Sequence, residues 1–250
     1  MPPERWQEWP VVPERLSART LEIYERGLEL GNNPQSFSKF GDNGASTIWF
    51  LAHYDLRQEF YSLGTYTYLQ SVIEIFAGSF GRVSVAAGSG FSTTTILDPT
   101  YADEALCEAS ETPLDCELRL NRPSIAFFSV GTNQAGSPEI FETELRIILE
   151  RMMERGVVPI LSSKVDNREG DHSINRIIAN LTYEFDLPLW NFWLAAQPLP
   201  NHGLQPDREH LSWASPYFDD PVRMESAWPW RNLTALQVLD FFLRGTGAEP

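Results

Sequence analysis

Arg122-Pro123-Ser124-Ile125-Ala126-Phe127-Phe128-Ser129-Val130-Gly131-Thr132-Asn133-Gln134 decides the fold. A short apolar run opened by Pro and closed by Gly reads as a strand buried on both faces, as in a parallel sheet. Small and amide residues follow it, and then an amphipathic helix. In open α/β sheets the ligand crevice lies beyond the carboxyl ends of the strands, where Gly131-Thr132-Asn133 falls. An amide there is a candidate polar anchor for a ligand. Capping of the strand end by a turn residue is the other reading of the same amide.

The pattern continues outward in both directions. Downstream, Phe141, Leu145, Ile148, Leu149 and Met152 share one helical face, and Gly156 stops that helix. Val157 to Leu161 is the next strand, Ile174 to Phe185 a second helical stripe, and Leu187 to Phe192 a further strand. A loop rich in Pro and Gly follows, and Leu233 to Leu243 closes as a helix. Upstream, Ala18 to Leu30 predicts a helix, Ser36 to Phe40 the first strand, Tyr66 to Phe76 a helix, and Val83 to Ala86 a second strand. Thr93 to Leu97 reads as a short helical turn. Strands alternating with helices of this length mean βαβ units, hence a three-layer α/β/α sandwich around a mostly parallel sheet. Residues 1–36 read as an arm with one helix and residues 37–250 as the main domain. At 250 residues the chain can bury one large core.

Composition removes several functions. A net charge of −15 leaves no basic stripe for nucleic acid and disfavours an anionic membrane surface. No apolar run is long enough to span a bilayer. The first residues show no basic-then-apolar signal pattern, so an export signal would lie outside this chain. Cys107 and Cys116 are the only cysteines, close together in a polar segment that reads as a loop. Bridged, they would imply an oxidising compartment and an extracellular or cell-surface location; two unpaired loop thiols are the alternative. No His-rich or Cys-rich ligand set accompanies them, so no metal and no cofactor is expected.

The strand ends converge on one crevice. They contribute Gly41-Asp42-Asn43, Gly88-Ser89-Gly90, Gly131-Thr132-Asn133 and Lys164-Val165-Asp166-Asn167, and the late loop adds Asp207-Arg208-Glu209-His210. Asp and His three apart on a turn can set the carboxylate against one imidazole nitrogen and leave the other free as a base. These blocks resemble the SGNH, or GDSL-like, hydrolase family over most of residues 37–244. The resemblance implies a flavodoxin-like fold and hydrolysis of carboxylic esters, acylated carbohydrates among them. By it, Gly90 and Asn133 match the oxyanion donors, His210 the base and Asp207 its orienting partner. Such donors are typically worth about 3–4 kcal/mol each in acyl transfer.

The first block departs from the family. Where the family reads Gly-Asp-Ser, this chain reads Gly41-Asp42-Asn43, and an amide cannot form an acyl-enzyme. Ser46 is the nearest alternative nucleophile, three residues further along the turn. The block-three motif ends in Gln134 where the family commonly has Asp. Lys164, Asp166, Asn167 and His53 are candidate substrate contacts. Trp49, Phe50, Trp190, Trp193, Trp228 and Trp230 could line a sugar-binding crevice or simply pack. Three functions follow: hydrolysis of a small or carbohydrate ester, non-catalytic binding of a glycan or acyl ligand, and direct activation of water by His210 with Asn43 as an extra oxyanion donor.

Overall fold

A computed structural model describes residues 1–248. Four strands form one parallel sheet in the order β1-β2-β3-β4: β1 Asn33–Gly41, β2 Pro123–Ser129, β3 Val158–Ser162 and β4 Leu189–Trp190. The apolar run of β2 is buried on both faces, as its composition demands, and β1 is registered on it with Phe37 opposite Ile125 and Gly41 opposite Ser129. β1 begins at Asn33, inside the stretch read as the arm.

The helices are α1 Ala18–Glu29, α2 Asn43–Ser46, α3 His53–Leu56, α4 Gln70–Ile75, α5 Thr93–Leu97, α6 Pro113–Asn121, α7 Pro138–Glu154, α8 Ser173–Phe185, α9 Phe192–Ala196 and α10 Ala227–Thr246. α5 packs on α6 and α7, and α7 on α8, as one layer. α1 and α10 meet in the other layer, Tyr24 edge-on to Phe242 at 5.2 Å. The result is the three-layer α/β/α sandwich the alternation of elements implies.

Three expectations need correction. The segment Val83 to Ala86 is not a strand. Its backbone donors go to side chains, Val85 N–H to Glu117 and Ala86 N–H to Ser84 Oγ, leaving only a bridge at Gly41 and Ala87. It still occupies the edge beside β1, the place of a second strand in a flavodoxin-like sheet. β4 is shorter than Leu187 to Phe192, because the Leu187 N–H returns to Thr182 at the end of α8 and the Asn191 N–H bonds Val11 of the arm. The cysteine segment runs into a helix, α6, with Thr112 capping Asp115 N–H and Pro113 in the first turn. Cys116 sits on that helix and is bridged to Cys107, with Cα atoms 5.3 Å apart.

Candidate active site

One cavity of about 170 Å3 opens at the carboxyl ends of β1, β2 and β3. Asn43, Gly90, Asn133, Lys164, Asp166 and His210 all line it. A cavity of about 150 Å3 accommodates a benzene-sized group, so this one suits a short acyl chain or one small ring.

Each side chain is delivered by a local device. Gly41 ends β1 at a φ of +145°, and an added Cβ would lie 1.9 Å from the Ser129 carbonyl oxygen. Only glycine fits there. Asp42 then caps α2, accepting the Gly44 N–H at 2.9 Å, and Asn43 opens that helix with its side chain exposed at the cavity. Gly90 has a φ of +79°, and a methyl added there would meet no heavy atom within 4 Å, so its backbone is open to the cavity. The Asn133 amide donates to the Phe91 carbonyl at 2.9 Å, which ties the second and third blocks together.

His210 Nδ1 and Asp207 Oδ2 are 2.8 Å apart. Oδ1 of the same carboxylate accepts the backbone N–H groups of Glu209 at 2.9 Å and His210 at 3.0 Å. Those two amides, ahead of the imidazole, hold the Asp207 carboxyl down at about 2. The neutral tautomer that donates Nδ1–H to this carboxylate has Nε2 as its acceptor nitrogen. The loop is braced by Gln205 N–H to His210 O and by an ion pair, Arg168 to Glu209, at 3.1 Å.

Lys164 and Asp166 line the cavity chiefly as members of a buried ion triad. Lys164 Nζ reaches Asp166 Oδ1 at 2.7 Å and Glu169 Oε2 at 2.6 Å, and Asp166 Oδ2 accepts from Thr132 at 2.8 Å. The triad braces the third block from below. Asn167 lies outside the cavity lining and accepts the His172 N–H. Ser46 ends α2, also outside the lining. His53 is buried against Trp49 and Phe60, away from the cavity. Of the six aromatics singled out in the sequence, only Trp228 reaches the lining; Phe50 and Trp190 are buried, Trp193 packs on Trp6, Trp49 on Trp213, and the Trp230 indole donates to Met224.

Several participants were given no role of their own in the sequence reading, and Phe192 and Arg231 were not placed at the site at all. Gln134 is buried and its Oε1 accepts from both the N–H and the hydroxyl of Thr93, so it secures α5 to the third block. Phe192, Glu209 and Arg231 also line the cavity. Burial pushes the Asp42 carboxyl up to about 6, against the pull of the Gly44 amide and the Arg231 charge. Among the described residues the one cluster of metal-type donors, Cys107, Glu111 and Cys116, has both sulfurs committed to the disulfide.

A parallel sheet flanked by helices, with a Gly-Asp-Asn turn, a Gly loop, a Gly-Thr-Asn turn and an Asp-x-x-His loop at its carboxyl end, is an α/β fold similar to that of solved esterases. The chain is similar to several solved structures. The psychrotrophic esterase EstA of Pseudoalteromonas sp., in a structure inhibited by monoethylphosphonate, is 16% identical, with a TM-score of 0.50 over 84% of this chain and 99% of that one. A GDSL-like lipase from Bacteroides thetaiotaomicron is 14% identical, with a TM-score of 0.45 over 89% of this chain and 98% of that one. An acetyl xylan esterase is 14% identical, with a TM-score of 0.46 over 81% and 97%. No protein-family model and no curated protein matches the sequence.

Proposed function

We propose that this cavity binds small carboxylic esters in the manner of SGNH hydrolases, with His210 as base, Asp207 as its orienter and Gly90 and Asn133 facing the oxyanion. The observation that carries this is the 2.8 Å contact between His210 Nδ1 and Asp207, in a loop that lines the same cavity as Asn43, Gly90 and Asn133. Asn43 stands where the family has its serine. Hydrolysis therefore proceeds without an acyl-enzyme, through water activated by His210, and is slow. The volume of about 170 Å3 favours a short acyl group, such as acetyl on a sugar, over a long chain. The Cys107–Cys116 bridge supports folding in an oxidising compartment, at the cell surface or outside it.

The test is hydrolysis of short-chain acyl esters and acetylated sugars by the native protein and by His210→Ala. Slow turnover that the substitution removes is expected. Turnover equal in the two proteins would sink the role of His210. Asn43 itself favours a second reading, a non-catalytic ester- or glycan-binding relative, and that reading predicts saturable binding with no turnover in either protein.

A further inference from the structure

Arg231 has no part in the ester chemistry described above, yet it lines the same cavity from the second turn of α10. It is 3% exposed, and its Cζ lies 4.8 Å from the Phe50 and Trp190 ring centroids, 5.0 Å from Phe192 and 5.9 Å from Trp228. These rings surround the guanidinium and contribute cation–π attraction. Asn232, the next residue, accepts the Leu51 N–H at 2.7 Å and donates to Trp49 O at 2.9 Å, so this turn of α10 is clamped.

The group is under-used. A guanidinium has five N–H donors. Among the described residues its one hydrogen bond runs from Nη2 to Ser129 Oγ at 2.8 Å, and Nε is buried without a partner. Asp42 attracts it by charge, but Oδ1 of Asp42 holds the Gly44 N–H. A methyl added to Gly44, itself in the cavity lining, would fall 3.3 Å from that oxygen and 3.8 Å from Arg231 Nη2. The guanidinium edge thus opens beside the turn that carries Asn43. Lys164, the other lysine or arginine of the lining, is held by Asp166 and Glu169, so among the described residues of the lining Arg231 is the basic side chain with no hydrogen-bonded carboxylate.

We infer that Arg231 is a specificity-determining residue that recognises a carboxylate on the ligand, so that the preferred ligand is an ester carrying one carboxylate group. The planar fork of arginine matches a carboxylate. Asp42, Asp166 and Glu209 share the lining, and their negative potential limits the guest to a single charge.

The inference rests on the ester-site reading, and one titration separates the two. Intrinsic fluorescence, to which Trp190 and Trp228 beside Arg231 contribute, is followed with monomethyl succinate and with neutral dimethyl succinate, while hydrolysis of both is measured in parallel. Monomethyl succinate should bind at least about tenfold more tightly, the scale of one charge-assisted hydrogen-bonded contact. Arg231→Gln should abolish the preference. Asp42→Asn, nearly isosteric and still able to cap α2, should strengthen monomethyl succinate binding by removing the competing carboxylate. If Arg231→Gln does not fold, Asp42→Asn decides the matter: tighter binding supports the assignment and unchanged binding overturns it. Equal affinity for the two esters in the native protein, or a preference that survives in Arg231→Gln, also overturns it. A preference that depends on Arg231 without hydrolysis of either ester leaves the carboxylate subsite standing and removes the hydrolytic reading.

Discussion

At the scale of single residues, two carboxyl groups at the site are shifted in opposite directions, and the pH dependence of stability follows. Asp42 has its folded value raised from 3.8 to about 6 by burial. Its carboxyl therefore binds its proton more tightly folded than unfolded, and its contribution to stability falls as pH rises from about 4 to about 6, then levels. Asp207 is held down at about 2 by two backbone amides and the imidazole, so its contribution is present above about 4 and is lost as pH falls toward 2. Asp42→Asn should flatten the stability profile between pH 4 and 6 and raise stability at pH 7 by about 1–3 kcal/mol. Urea unfolding across pH measures this, and a variant less stable than native at pH 7 would contradict the burial account. The gathering of Gly90, Asn133 and His210 at one cavity, with Asp207 against His210, was legible in the sequence because each belongs to a short block at a strand end or in the late loop. Arg231 was not, because nothing in Trp230-Arg231-Asn232 distinguishes an arginine facing solvent from one seated among rings contributed by distant segments.

At the scale of elements, the apolar run of β2 and the stripes on α7 and α8 carried enough periodicity to be read directly. The Val83 to Ala86 segment did not behave as its β-branched residues suggest. The partner that diverts its Val85 N–H, Glu117, lies on α6, whose cap signal Thr112-Pro113 was hidden within a polar cysteine segment. Two predictions belong here. Gly41→Ala should cost about 3 kcal/mol or more and disrupt the site, since the new methyl meets the Ser129 carbonyl. An unaltered melting temperature would show that the β1 turn is less constrained than the approach of Gly41 to the Ser129 carbonyl implies. Replacing both Cys107 and Cys116 by Ser should cost about 2–3 kcal/mol while leaving ester binding intact, because neither lines the cavity. Equilibrium unfolding and ligand titration on the double variant check both halves.

At the scale of the whole molecule, β1, β2, the edge segment beside β1 and the late loop bring Asn43, Asn133, Gly90 and His210 to one cavity, although the sequence scatters them widely. No helix among the described residues is long and apolar enough to cross a membrane. As proposed above, the cavity is an ester site complete except for its nucleophile. The most direct test of this is pre-steady-state hydrolysis of a short-chain acyl ester by Asn43→Ser, alone and combined with His210→Ala. The account predicts that Asn43→Ser raises turnover at least about tenfold over native and gives a burst of alcohol release as an acyl-enzyme forms, with both lost in the double variant. No gain in Asn43→Ser, or a gain indifferent to His210, would contradict it, since about 1 Å of misalignment can cost a hundredfold in rate and the surrounding shell would then have drifted from a hydrolase geometry.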